Sequence, residues 1–239
     1  MTVAEPVRST RVELVTAIRR AHTELGAVLG PLTDAQVTAP SRLPGWSRGH
    51  VLAHLAGLGS AVTRQVEHAR RGEGVELYQG GRPARDAAIE AGAPASAAHH
   101  VRTLRQRMAR IDTLLAGLTP ADWELPVRFR DGVVAAMVLA WWREVEIHLT
   151  DLDLGRGSDG WSQEFCDHAI EFLAARVPAG TLLVLESPDG WVRELGAGDR
   201  RVVRGARTDL VAWLAGREPV RPVRFADDGA GLPLLGSWP

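Results

Sequence analysis

The chain has 239 residues, 45% hydrophobic and 24% charged, which is enough to bury a core without disulfides and too apolar for a disordered chain. Its 28 basic and 29 acidic residues give a net charge of -1, so no basic excess favours a phosphate backbone and we expect no nucleic-acid partner. The longest apolar run, residues 133–142, is about half a bilayer span, and no basic cluster with an apolar core opens the sequence, which predicts a cytoplasmic protein with no membrane partner.

The cysteine and lysine contents limit the chemistry further. Cys166 is the single cysteine, which excludes an internal disulfide and a multi-cysteine zinc site. A metal would therefore need histidine and carboxylate ligands. Every basic residue is arginine, so lysine Schiff-base chemistry is excluded as well.

The first 155 residues read as an antiparallel bundle with four main helices. Apolar residues at helical spacing predict a first helix over 8–29 and a second that Ser47 caps and Gly72 follows. Past the Gly80-Gly81 break we predict a short helix around 83–90, then a longer one that ends near Leu118. A strongly apolar fourth main helix is predicted to begin at residue 131 or 132 and to run to about 154.

The pattern changes beyond the linker at residues 155–160. A helix near 162–177 precedes a β-branched and leucine-rich run at 181–185, and Ser-Pro-Asp-Gly at 187–190 indicates a hairpin. Two more short strands, at 191–195 and 201–204, and a helix from residue 207 or 208 to Gly216 follow. The sequence therefore predicts an α+β chain, with a helical bundle at 1–155 and a smaller α+β domain at 160–239.

Two of the bundle helices carry residues suited to a metal. His50 and His54 share one face of the second helix at i,i+4 spacing, and Glu144 and His148 share one face of the last. Two imidazoles and a carboxylate on facing helices suit zinc and leave coordination positions open for water or substrate. On spacing alone, a solvent-exposed Glu-His pair is the more common outcome.

Three segments carry a family resemblance: residues 43–56 (LPGWSRGHVLAHLA), 80–93 (GGRPARDAAIEAGA) and 142–152 (WREVEIHLTDL). Together they resemble the mycothiol-dependent maleylpyruvate isomerases over nearly the whole chain. That family joins a DinB-like four-helix metal-binding domain to a small domain similar to sterol carrier proteins. The resemblance implies zinc ligands at His54, Glu144 and His148, and it does not extend that role to His50.

The resemblance also implies roles for four arginines. The last predicted helix and the residue after it match the place of the family's active-site arginine, which suggests Arg217, with Arg221 as the competing position. Arg82 and Arg85 lie in the middle motif, where contact with the cofactor mycothiol or the substrate competes with salt bridges to Asp86 and Glu90.

The implied activity is cis–trans isomerisation of maleylpyruvate, a small dicarboxylate, to fumarylpyruvate in gentisate-type aromatic degradation, with zinc and mycothiol as cofactors. We expect a monomer or a weak homodimer. Two alternatives remain: a mycothiol S-transferase that conjugates an electrophilic metabolite or xenobiotic, and a non-catalytic carrier whose small domain holds a lipid.

Overall fold

The computed structural model describes residues 11–226 and 232–239. The chain divides into two compact units, of which one extends to Gly155 and the other begins at Arg156. The first residues of the predicted helix 8–29 and parts of both predicted domains therefore lie outside the described residues. None of the described helices is both long and apolar enough to cross a bilayer.

The amino-terminal unit is built on four long helices, as predicted. These are α1 (Arg11–Leu29), α3 (Arg48–Ala69), α5 (Ala97–Ala116) and α6 (Val134–Asp151). Two shorter helices, α2 (Asp34–Thr38) and α4 (Gly81–Gly92), lie between them in the chain. The core side chains follow the helical stripes: on α3, the five apolar residues Val51, Leu55, Leu58, Val62 and Val66 are all buried.

A series of hydrogen bonds between three side chains connects α6, α1 and α5. The indole N–H of Trp141 on α6 donates to Nε2 of His22 on α1 at 2.8 Å, and Nδ1 of His22 lies 3.0 Å from a carboxylate oxygen of Asp112 on α5. Since Nε2 accepts, the ring proton of the neutral histidine is on Nδ1 and is donated to Asp112.

The start of α6 differs from the prediction. Residues 129–131 form a 3-10 turn in which Arg130 and Asp131 have positive φ angles of 55° and 50°, outside the right-handed helical region. Val133 is extended and pairs with Pro126 in an isolated antiparallel bridge. The helix therefore begins at Val134, after that bridge, and it ends at Asp151 rather than near 154.

The carboxy-terminal unit contains α7 (Gln163–Leu173) and α8 (Arg207–Leu214) and a small sheet. The strands are β1 (Thr181–Glu186), β2 (Val192–Gly196), β3 (Asp199–Arg204) and β4 (Arg224–Phe225), in the order β2-β1-β3-β4. β1 and β2 form the predicted antiparallel hairpin, whereas β1 and β3 pair in parallel. The α+β class is confirmed; α2 and β4 were not predicted.

Candidate metal centre

The amino terminus of α3 fixes the direction of its histidine face. Ser47 is the N-cap, and its side chain accepts a hydrogen bond from the backbone of His50. In return the backbone N–H of Ser47 donates to Nδ1 of His50 at 3.1 Å, while Nε2 of His50 lies 3.3 Å from a carboxylate oxygen of Glu90. Both ring nitrogens of His50 therefore contact groups other than His54, which lies one helical turn later.

His54, Glu144 and His148 converge across the α3–α6 interface. One carboxylate oxygen of Glu144 lies 2.8 Å from Nε2 of His54 and 3.2 Å from Nε2 of His148. One ligand atom from each of the three residues lies within 4.8 Å of the others. Both histidines are buried, but the Glu144 side chain is 28% exposed, so the cluster opens to solvent on the side of the carboxylate.

Asp151 fixes the orientation of His148. Its carboxylate is fully buried and lies 2.8 Å from Nδ1 of His148, which donates to it. Nε2 is then the nitrogen that faces Glu144, as in histidine ligands oriented by a carboxylate in an outer shell. Sequence reasoning gave Asp151 no role, although its i+3 spacing from His148 places it on the same helix face.

Burial and mutual hydrogen bonds set opposite protonation states in the cluster. Burial lowers the pKa of His54, which is neutral at pH 7. Burial also opposes charge on Glu144, but hydrogen bonds from His148 and His54 hold the pKa of that carboxyl well below its usual range. For His148, burial is outweighed by hydrogen bonds to Asp151 and Glu144, which raise its pKa to about 9.

The donor set fits a divalent metal such as zinc. Imidazole nitrogen and carboxylate oxygen are both zinc ligands, and ligand bonds of about 2.0–2.2 Å in a tetrahedron leave ligand atoms about 3.3–3.5 Å apart. The observed separations of 2.8 and 3.2 Å are those of hydrogen bonds, so the carboxylate oxygen and the two nitrogens would move apart by about 0.1–0.7 Å to hold the ion. A metal would displace the protons through which the two imidazoles contact Glu144.

Two further side chains border the cluster on the α4 side. Nη2 of Arg85, on α4, lies 3.1 Å from Nδ1 of His54, and its guanidinium carbon is 5.9 Å from the centre of the Tyr78 ring. Burial raises the pKa of Tyr78, which keeps its hydroxyl neutral near pH 7. Tyr78 was missed by sequence reasoning, because it lies in the loop before Gly80, where no periodicity indicates a direction.

The ring of Trp46 completes the border on the α3 side. It stacks on His50 at 6.0 Å and meets His54 edge-on at 5.9 Å, measured between ring centres. A half-buried indole at this place shields one face of His54 from water.

The four predicted arginines differ in their surroundings. Arg85 reaches the cluster, whereas Arg82, on the same helix, is exposed. In the other unit, Nε of Arg221 pairs at 2.9 Å with the fully buried carboxylate of Asp209. Arg217 donates to the carbonyl of Ala215 at 2.9 Å, and its guanidinium carbon lies 5.3 Å from the centre of a ring of Trp238.

Comparison with known protein families gives a match over the part of the chain that contains the cluster. The model of the family "Mycothiol maleylpyruvate isomerase N-terminal domain" matches residues 18–153, which include all three residues of the cluster. No functionally curated protein matches the chain.

Solved structures agree on the fold. The chain is similar to the crystal structure of the mycothiol-dependent maleylpyruvate isomerase, at 22% identity and a TM-score of 0.85 over 99% of this chain and 100% of that one. A histidine-to-alanine mutant of that isomerase gives 21% identity with the same TM-score and coverage. YfiT from Bacillus subtilis, described as a probable metal-dependent hydrolase with an unusual four-helix bundle topology, gives 18% identity and 0.51 over 67% of this chain and 95% of that one.

Proposed function

Because the chain belongs to the mycothiol maleylpyruvate isomerase N-terminal domain family, we propose that it isomerises maleylpyruvate to fumarylpyruvate with zinc and mycothiol as cofactors. The observation that carries this proposal is the convergence of His54, Glu144 and His148 from two facing helices. A cluster of two imidazoles and one partly exposed carboxylate leaves room for an exogenous ligand, which distinguishes a reactive site from a closed structural one.

The proposed reaction needs a thiolate but no oxidant. A thiolate adds to the activated double bond, the resulting single bond rotates, and the same thiolate leaves as the trans double bond forms. Zinc, when bound, supplies the positive charge that keeps the mycothiol sulfur deprotonated near neutral pH. The chain itself offers one cysteine, Cys166, which is fully buried on α7 and is not assigned a role in the reaction.

The residues around the cluster have separate tasks in this proposal. Asp151 holds Nδ1 of His148, so that Nε2 faces the ligand position. The indole of Trp46 covers one side of His54 and limits the access of water. The Arg85 guanidinium, which borders the cluster, supplies a positive charge for a carboxylate of the substrate or a polar group of mycothiol. Arg82 is the more exposed candidate for the same task.

Of the two carboxy-terminal arginines, we propose Arg217 as the one that stabilises the enolate formed on thiolate addition. Arg221 is committed to the buried carboxylate of Asp209, which also accepts the backbone N–H groups of residues 220 and 221. Removing Arg221 from that contact would leave a buried charge without its cationic partner. The family resemblance supports Arg217 for this task, since it follows the end of α8 closely, where the family has its active-site arginine.

The decisive experiment measures whether mycothiol is consumed during turnover. Purified, zinc-loaded protein is mixed with catalytic mycothiol and excess maleylpyruvate, and both free thiol and fumarylpyruvate are measured. We expect many turnovers at a constant thiol concentration. Loss of one thiol per product, with no fumarylpyruvate, would refute the isomerase and favour the mycothiol S-transferase.

Matched variants test the assigned residues. His54→Ala, Glu144→Ala and His148→Ala should each abolish stoichiometric zinc, while His50→Ala should retain it, since both nitrogens of His50 are engaged elsewhere. Arg217→Ala should lower turnover by about one to three orders of magnitude with zinc unchanged. Arg201→Ala, which removes an exposed arginine of β3, is the matched control. Full zinc occupancy in His148→Ala would overturn the ligand assignment.

A further inference from the structure

The contact between Arg85 and His54 determines which nitrogen of His54 carries the ring proton. A guanidinium can only donate hydrogen bonds, so Nδ1 of His54, 3.1 Å from Nη2 of Arg85, must accept. The single proton of the neutral ring is then on Nε2, from which it is donated to Glu144 at 2.8 Å. In this state both nitrogens of His54 are occupied, one by a donor and one by its own proton.

A metal ion at His54 is incompatible with this contact. If the metal binds Nε2, the ring proton moves to Nδ1, where it would face the N–H groups of Arg85, donor against donor. If the metal binds Nδ1, it takes the lone pair that Arg85 uses. In either case the guanidinium must leave His54, and the charge of a divalent cation nearby adds electrostatic repulsion.

The surroundings of Arg85 offer a place to which it can move. Its side chain is 25% exposed and also pairs with the half-exposed Asp86 through Nη1 at 2.7 Å. The neutral hydroxyl-bearing ring of Tyr78 lies beside it. Glu144, the partly exposed member of the cluster, contacts Nε2 of the same imidazole whose Nδ1 faces Arg85, so a ligand bound beside Glu144 lies about one imidazole ring away from the guanidinium.

From these contacts we propose that Arg85 is a metal-coupled carboxylate-binding residue, which rests on His54 in the metal-free chain and, once metal binds, holds a carboxylate of the substrate beside the ion. The proposal rests on the proposed function, since it assumes metal at His54 and a dicarboxylate substrate. A planar guanidinium can hold a carboxylate through two parallel hydrogen bonds. These two bonds fix the orientation of the carboxylate, which a metal ion alone does not do. Metal and dicarboxylate therefore bind cooperatively, and Arg85 carries the coupling.

The test measures binding without mycothiol, so that no turnover occurs. Zinc affinity is measured by chelator competition, and the affinity for maleate, a cis-dicarboxylate probe, is measured by calorimetry with and without zinc. The variants are Arg85→Met, which keeps the length and removes the donors, Arg85→Lys, which keeps the charge without the fork, and Arg105→Met as a control at an exposed arginine of α5.

We expect three results. Arg85→Met should bind zinc about tenfold more tightly than the unaltered chain, because no charged hydrogen bond has to be broken. With zinc loaded, Arg85→Met should bind maleate about tenfold more weakly, and Arg85→Lys should fall between the two. Without zinc, maleate affinity should be the same within twofold in all variants. Arg105→Met should match the unaltered chain throughout.

A second readout follows the ring of His54 directly. In the metal-free protein, the NMR chemical shifts of the His54 ring nitrogens should show the proton on Nε2. In Arg85→Met, the proton should no longer prefer Nε2 over Nδ1. Equal zinc affinities in the unaltered chain and Arg85→Met, or an equal loss of maleate affinity with and without zinc, would overturn this inference alone. Failure of the unaltered chain to bind zinc would instead overturn the proposed function.

Discussion

Asp151 and His148 show how a single buried hydrogen bond can prepare a ligand. The Asp151 carboxylate has no exposed surface and meets Nδ1 of His148 at 2.8 Å, while Nε2 of the same ring points to Glu144. A neutral imidazole whose Nδ1–H is already donated has its lone pair on Nε2, ready for a metal.

Asp151→Asn should therefore weaken zinc binding without removing any ligand. An amide at this position cannot supply the negative charge that raises the basicity of His148, and we expect zinc affinity to fall by about 10–100-fold. Chelator competition measures this change. Asp153→Asn, at an exposed carboxylate just past α6, is the control. Equal affinities in the two variants would contradict an orienting role for Asp151.

The protonation of His148 also makes the stability of the metal-free protein depend on pH. Its pKa is raised from 6.5 in the unfolded chain to about 9, so this stabilisation is fully present below pH 6.5 and disappears as pH rises through about 9. A shift of this size corresponds to at most about 3 kcal/mol.

Urea unfolding of the metal-free protein between pH 6.5 and 9.5 measures this effect. We expect the free energy of unfolding of the unaltered chain to fall toward that of His148→Gln as pH rises. Parallel curves with a constant offset would show that the folded-state pKa of His148 is not raised.

At the scale of elements, α4 is held close to α3 by glycines. A Cβ built on Gly49 of α3 would lie 2.1 Å from the carbonyl oxygen of Ala93, just past the end of α4, and one on Gly92 would lie 3.1 Å from Cβ of Ala53. This close approach brings α4, and with it Arg85, to the face of α3 that carries His54.

Gly49→Ala should push these elements apart and destabilise the protein by about 1–3 kcal/mol. Gly57→Ala is the matched control on the same helix, because a Cβ there meets nothing within 4 Å. Since alanine favours the helix, Gly57→Ala should instead stabilise it by up to about 1 kcal/mol. Denaturant unfolding measures both, and changes of the same sign would contradict the packing argument.

The elements also show how far sequence reasoning extends. The stripe on α3 and the Ser-Pro-Asp-Gly turn are local patterns, and both predicted their structures. The start of α6 was predicted two or three residues early. The reason is that Arg130 and Asp131 adopt positive φ angles, which their residue types do not indicate. The parallel pairing of β1 with β3 depends on contacts between distant segments, which no local pattern contains.

The same distinction applies to the candidate site. Helical spacing predicted that Glu144 and His148 could share a metal site with a histidine of the second main helix, but only the family resemblance selected His54 rather than His50. The contact of Arg85 with His54 depends on how closely α4 packs on α3, and Tyr78 reaches the site from a loop. Such positions follow from packing between elements rather than from periodicity.

At the scale of the whole molecule, metal binding and folding should be linked. All three donor residues lie in the unit that ends at Gly155, on helices far apart in the chain, and a site of this kind does not exist in the unfolded state. At free zinc about 100-fold above the dissociation constant, we expect unfolding to cost about 2.7 kcal/mol more than in chelator. Calorimetric melting with zinc and with chelator measures the shift, and an equal shift in His148→Ala would place the stabilising zinc elsewhere.

Cys166 provides a way to measure local opening in the carboxy-terminal unit. This thiol is fully buried on α7 and is the only one in the chain, so an alkylating reagent can reach it only when that part of the protein opens. The labelling rate in native buffer, relative to that of a free thiol, therefore gives the free energy of opening around α7. A single mass increment would report, without any engineered probe, how often residues 163–173 open locally under native conditions.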